Sequence, residues 1–384
     1  MHAEKVNKVN IVKSRLRYII GGMTGIGCLF IVISGCQSNK SIQPESITQT
    51  SFSPIMIDKL PLATPTTPPI LYPLTGLASE KVINTRPIMV MVENTPQARP
   101  QSGLHRADLV YEILAEGGIT RFVAVYQSQI ATMIGPVRSI RPYYAQIGEG
   151  LDAWIVHAGW SQDAINLITQ RKLDHFDEVY GDGAYYTRSK DRKPPHNLYT
   201  SIDDIRRGGL KKKFREEWKG VSMQFLPTPA NSPKSANSPT SSSAPASADS
   251  LATSNAVVGP AIKVTIPYIQ GYEVSYKYNA GAGVYERMMK GQPHLDRETG
   301  EQLIAANILI CESNHRVLDK EGRRAVDVLG PGKGYLVQQG KKQEITWEQK
   351  GGIIRAFAEG KELPFKPGQT WIQVVPVGSK LMFE

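Results

Sequence analysis

The sequence predicts an α+β fold: a mixed-sheet, α/β-type first domain followed by a smaller, mostly β second domain. Three observations carry that prediction. Between residues 72 and 218, strand-like and helix-like patterns alternate. Between 261 and 384, short β-rich runs follow one another with turn residues between them. A Ser/Pro/Ala-rich stretch at 226–260, almost free of aromatic residues, separates the two and reads as a disordered linker.

In the first block, residues 87–92 (PIMVMV) form a continuous apolar run, as in a strand buried on both faces. Residues 108–116 and 119–128 read as two strands joined by a two-residue turn at Gly117-Gly118. That turn would set Leu114 opposite Arg121 and make Glu112 and Glu116 its diagonal neighbours. Pro142 stands where a first helical turn favours proline, ahead of YYAQIGEGL. Residues 153–158 (AWIVHA) read as another buried strand, and Ser161 as the N-cap of a helix over QDAINLITQ. In the second block the expected strands are AIKVTIPY, YEVSYKYN, VYERMMKG, NILICES, RAVDVLG, GYLVQQG, QEITWEQ and TWIQVVP, enough for a small sandwich or barrel.

The amino terminus carries an address. A basic stretch (Lys5, Lys8, Lys13, Arg15, Arg17) precedes an uncharged apolar run at 18–33. That run is short for a stable membrane span, which needs about 20 residues. It ends in Ile33-Ser34-Gly35-Cys36, which matches the lipobox of bacterial lipoproteins. The expectation is a signal peptide over 1–35, cleavage before Cys36, and diacylglyceryl (palmitate-type) lipidation of that thiol. Residues 36–71, rich in Ser, Thr and Pro, would then tether the first domain (72–218) to the outer face of the cell membrane. Once Cys28 is removed and Cys36 is lipidated, Cys311 is the remaining thiol, and its β-like surroundings predict a buried, inert one.

The composition is that of a globular protein, 41% hydrophobic and 21% charged, with a formal net charge of +10 that the basic amino terminus partly explains. The mild basicity left over suits an anionic membrane or wall polymer. No nucleic-acid-binding motif, dinucleotide fingerprint, Walker loop, GxSxG or HExxH occurs, so no nucleic acid, cofactor or metal is expected and no catalytic residue is assigned.

Several strings resemble one family: RPIMVMVEN, ARPQSGLHRADLVYE, GPVRSIRPYY, HAGWSQDA, PPHNLYTS, GQPHLDRETGEQL and GKGYLVQQGK are similar to the YerB family of bacterial lipoproteins. The resemblance spans roughly 72–215 and 261–376. It implies a surface lipoprotein built of two consecutive domains of unknown function, and it implies no activity.

Arginines carry the strongest chemical signal. Arg86, Arg99, Arg106, Arg121, Arg138 and Arg141 fall within fifty-six residues. Arg138, Ser139 and Arg141 stand just ahead of an expected helix start, where guanidinium forks and unpaired amides favour phosphate or carboxylate. Arg106 joins them as a candidate anion-binding residue. The alternative is that these arginines are ordinary structural ion pairs. Asp108, His157, His196 and Asn197 are candidate cleft residues, with a hydrogen-bonded core role as the alternative for His157. RADLV followed by IGPVRSIRP is also similar to the arginine and aspartate blocks of the LytR-CpsA-Psr phosphotransferases. That pattern implies a metal held near Asp108 and phosphates on Arg106, Arg138 and Arg141. Leu109 departs from its threonine, and no acid follows either later arginine. The leading expectation is a lipid-anchored binding or scaffolding protein that meets a cell-wall component or an envelope protein. An envelope phosphotransferase acting on a lipid-linked phosphorylated substrate is the alternative.

Overall fold

The computed structural model describes residues 69–227, 258–268 and 272–384. The expected signal peptide, Cys36 and most of the expected tether lie outside the described residues, as does most of the expected linker.

The first block contributes strands β1 (Ile88–Glu93), β2 (Leu109–Leu114), β3 (Thr120–Tyr126), β4 (Trp154–His157) and β5 (His175–Asp177), with helices α1 (Pro142–Gly150), α2 (Gln162–Arg171) and α3 (Ile202–Lys212). The second contributes β6 (Lys263–Pro267), β7 (Glu273–Asn279), β8 (Val284–Met289), β9 (Asn307–Ser313), β10 (Gly332–Gln338), β11 (Lys341–Lys350), β12 (Ile353–Ala358) and β13 (Thr370–Pro376), with shorter strands between them. The expected fold class holds: a mixed sheet with helices from the first block, and a β-rich second block.

The second block does not close into a sandwich or barrel of its own. Its strands divide between two sheets. β12, β11, β10, β9 and β13 continue directly into β2, β3, β1, β4 and β5, forming one twelve-stranded sheet with two short edge strands. The seam is β13, which pairs in parallel with β9 on one side (Leu309 opposite Ile372) and with β2 on the other (Tyr111 opposite Ile372). β6, β7 and β8 form the centre of a separate six-stranded sheet. The linker boundary also moves: Val258–Pro260, expected as linker, is a strand on β11.

The large sheet is covered on both faces, which explains why its central strands read as unbroken apolar runs. On one face Met89, Met91, Val123, Val125 and Ile155 pack under α1 and α2. On the other, Val90, Val110, Phe122, Ala124 and Trp371 meet α3 and the six-stranded sheet. α3 approaches unusually closely. A β-carbon on Gly209 would stand 2.2 Å from the Trp154 ring, and one on Gly208 would stand 2.6 Å from Phe176. Two glycines inside a helix are unfavourable locally, and here the close approach requires them. Cys311 is fully buried, and burial pushes its thiol well above the ordinary range, as expected of an inert cysteine.

Candidate functional site

β1, β2, β4 and β5 run in the same direction, so their carboxyl ends share one edge of the sheet. Ligand sites of open α/β sheets favour that edge. A cleft of about 220 Å³ opens there, walled by Glu93, Asn94, Thr120, Arg121, Arg138 and Ser139 among others. Glu93 ends β1, Arg121 lies opposite it at the start of β3, and Arg138 and Ser139 belong to the loop that enters α1.

Register decides which arginines arrive. The turn after β2 is longer than two residues: Leu114 pairs with Thr120 and Ile113 with Arg121, and residues 115–119 form the connection. The two-residue hairpin is therefore corrected by one position. Glu112 then faces away from Arg121, while Glu116 lies 3.6 Å from it.

Each cleft arginine is partly engaged. Arg138 donates to Glu93 at 2.7 Å. Arg141 and Arg121 both meet Glu116, and Arg121 also donates to the Ser139 carbonyl. Burial alone would raise the Glu116 carboxyl; the Arg141 hydrogen bond and the Arg121 charge outweigh it and hold the group below its usual range. The Glu93 side chain, 3% exposed, also meets His196 Nδ1 at 2.9 Å and accepts from the Thr95 hydroxyl at 2.7 Å. Three guanidinium groups against two carboxylates leave the site cationic. Each guanidinium has five N–H donors, more than these contacts use.

A buried polar network supports the cleft floor. Thr120 donates to Glu112 at 2.8 Å, and Asn94 donates to both Thr120 (2.7 Å) and Glu112 (3.2 Å). Glu112 in turn pairs with Arg287 of β8 at 2.7 Å, both side chains fully buried. Arg287 Nε donates to His294 Nδ1 at 3.0 Å, which leaves Nε2–H of that ring to donate to Gln101 at 2.7 Å. Gln101 then donates to the Glu93 carbonyl at 2.9 Å and to Asn94 at 3.1 Å. The inter-sheet ion pair and the cleft are thus one hydrogen-bonded unit.

The other sequence candidates divide. His196 reaches the cleft rim through Glu93. Asn197 does not; its amide group bonds Ser189 and Arg188 and ties down its own loop. His157 is a core histidine, bonded to the Gly159 carbonyl and to His175, each at 3.0 Å. Burial first, and the neighbouring His175 second, push it down to about 3, so it stays neutral. Arg106 and Asp108 lie at the opposite end of β2 from the cleft, six strand residues or roughly 20 Å away. Arg106 bonds Gln129 and His105. Asp108 accepts from the Ser128 amide at 2.9 Å, from its hydroxyl and from the Gln127 amide, closing the turn after β3. The convergence of Arg106 and Asp108 with Arg138 and Arg141 that a phosphotransferase site needs is therefore absent.

Sequence reading passed over Glu93, Asn94, Thr95 and Thr120. The available signal was an apolar strand ending abruptly in Glu93-Asn94-Thr95, where a parallel strand delivers polar groups to its carboxyl edge. Among the described residues no group of three or more His, Cys, Asp or Glu side chains could hold a metal ion. No described helix is long and apolar enough to cross a membrane.

Two family models match the chain: the N-terminal domain of the protein of unknown function DUF3048 over residues 74–215, and its C-terminal domain over 264–372. A Bacillus subtilis protein named "Putative lipoprotein YerB" is 39% identical over 305 residues, covering 79% of this chain and 86% of YerB. The crystal structure of Bacillus subtilis YerB superposes with a TM-score of 0.70 at 36% identity, covering 82% of this chain and 99% of that one. On sequence and fold together, this chain belongs to the DUF3048 family that includes YerB.

Proposed function

We propose that the chain is a lipid-tethered binding protein of the bacterial cell envelope whose carboxyl-edge cleft holds a small anionic group, phosphate or carboxylate. The observation that carries this reading is a cleft lined by Arg121, Arg138 and Ser139, with Arg141 joined to it through the lining carboxylate of Glu116. Guanidinium forks match the oxygen pairs of phosphate and carboxylate, and a partly desolvated site strengthens each bond. The lipobox at Cys36 and the description of the relative YerB as a lipoprotein support a membrane anchor on the outer face. The cleft would then face the wall polymers and membrane precursors of that compartment. With Arg106 and Asp108 at the far end of the strands, the phosphotransferase alternative has no constellation to work with, and binding is the reading retained.

Calorimetric titration of the full chain with inorganic pyrophosphate at fixed ionic strength tests the proposal. Saturable binding that the Arg138→Ala/Arg141→Ala double variant loses is expected. Equal heats from the two proteins would refute it.

A further inference from the structure

At the same carboxyl edge of the sheet stand two aromatic rings that the anion site leaves unused. Trp160 follows β4 and Tyr180 lies in the loop after β5. Their rings stack with centroids 4.9 Å apart and planes 26° from parallel. Trp160 is anchored, packing against the core beneath α1 and α2. Tyr180 is 66% exposed, at the tip of a loop whose next residue, Gly181, takes φ of +122°. Val179 in the same loop is also exposed. Holding an apolar ring in water on top of a tryptophan gains little for the fold, since most of its surface stays hydrated.

The backbone ties the segment that carries Trp160 to the loop that carries the arginines. Residues 138–140 run alongside 158–161: the Ala158 amide donates to the Arg138 carbonyl at 3.0 Å, Ile140 to Gly159 at 3.1 Å, and Ser161 to Ile140 at 3.3 Å. Ile140 bridges directly to Trp160, so Ser139 and Arg141, its chain neighbours, lie about one strand spacing, ~5 Å, from the tryptophan backbone. Gly159, at φ +75°, stands between. A β-carbon there would fill the space 3.6 Å from the Ser139 hydroxyl and 3.7 Å from Val179. The glycine leaves open the space between the Ser139 hydroxyl and Val179, the residue before Tyr180.

We infer that the Trp160–Tyr180 stack is a sugar-binding platform and that the ligand of this site is a glycosyl phosphate. This rests on the anion-site reading above: the phosphate lies on the arginines and the sugar ring against the exposed aromatic face. The C–H face of a pyranose is apolar and weakly positive, and complements the negative face of an aromatic ring. Ligand sites pair such apolar surfaces with a few placed polar groups. Those nearby include the carboxylate of Glu116, that of Glu178, which also holds Arg188 at 2.7 Å, and the Ser139 hydroxyl, all able to accept from a ring bearing hydroxyl donors.

The test is calorimetry on the full chain in detergent micelles with four probes: N-acetylglucosamine 1-phosphate, N-acetylglucosamine, inorganic phosphate and uridine monophosphate. The sugar phosphate should bind at least tenfold more tightly than inorganic phosphate, and more tightly than the free sugar or the nucleotide. Tyr180→Ser, an exposed change that spares the core, should erase that advantage and leave the phosphate affinity unaltered; Trp160→Phe, which keeps an aromatic face, should retain most of it. Equal affinity for sugar phosphate and phosphate overturns the platform while leaving the anion site standing. So does a preference for the nucleotide, or a Tyr180→Ser loss that falls equally on phosphate. Failure of every phosphorylated probe to bind removes the anion site, and the platform with it.

Discussion

Replacing Arg287 with methionine should destabilise the protein by about 3–5 kcal/mol. The guanidinium is fully buried, 2.7 Å from Glu112, and its face lies 4.3 Å from the centre of the Trp371 ring. Methionine preserves much of the contact with Trp371 and Phe122 but leaves the Glu112 carboxylate in the core without its cation. The remaining Asn94 and Thr120 donors do not supply a positive charge. For a chain of this size, with roughly 2 °C of melting temperature per kcal/mol, the loss corresponds to a fall on the order of 5–10 °C. Glu112→Gln added to Arg287→Met removes the stranded charge while keeping an acceptor for Thr120, and should recover most of the loss. Urea unfolding of the wild type, the two single variants and the double variant completes the cycle. Because Glu112 comes from the first sequence block and Arg287 from the second, the loss should appear in one shared transition. A cost below about 1 kcal/mol, or a double variant no better than Arg287→Met, would mean that Glu112 is not stranded by loss of the guanidinium.

Acid should weaken the fold through His157. An unfolded histidine takes its proton near 6.5, whereas the buried His157 resists until about 3. Between those values the unfolded chain binds more protons, so stability is full above pH 6.5 and is lost as pH falls, by at most about 5 kcal/mol; melting curves across that range should slope less steeply in His157→Phe, and an unchanged slope would contradict the assignment. Glu116→Gln removes one of the two carboxylates beside the cleft arginines and should raise phosphate affinity several-fold by calorimetry; a fall would mean that positioning of Arg121 and Arg141 outweighs charge. Gly209→Ala drives a β-carbon into Trp154 and should destabilise by about 1–3 kcal/mol, read from urea midpoints. Cys36→Ser should abolish incorporation of labelled palmitate, and label retained by that variant would place the lipid elsewhere.

The parts of the fold that were legible were those with a strong local pattern. PIMVMV, AWIVHA and TWIQVVP are apolar on both faces because both faces of the sheet are covered, and Pro142 marked the start of α1. Ser161 does precede α2, but its hydroxyl makes no cap bond; at the start of that helix it is the Ser161 carbonyl that accepts, from the Ala164 and Ile165 amides. α3 is not among the elements expected from the sequence, and Gly208-Gly209 weakens its local helical signal. Its real signals were Ser201, which accepts from the Asp204 amide, and the lysines of its last turn. The continuous sheet could not be read from either block: the pairing of β13 with β2 is set by tertiary packing across some 260 residues, and no local period reports it.

The site followed the same division. The loop GPVRSIRPYY placed Arg138, Ser139 and Arg141 near a helix start correctly, since composition and the proline were local signals. Arg106 and Asp108 are close to Arg121 in sequence yet lie at the other end of the strands, because an antiparallel return reverses direction within a few residues. A one-residue error in the turn also hid the role of Glu112, which turned from a surface partner of Arg121 into the buried partner of Arg287.

On this account the carboxyl-edge cleft binds an oxyanion through its arginines. Soaking crystals of the protein in tungstate, a heavy tetrahedral stand-in for phosphate, and mapping its anomalous scattering tests it most directly. A peak within hydrogen-bonding reach of Arg138 and Ser139, missing in Arg138→Ala/Arg141→Ala, is the predicted result. Peaks confined to other surfaces, with the cleft empty, would contradict it.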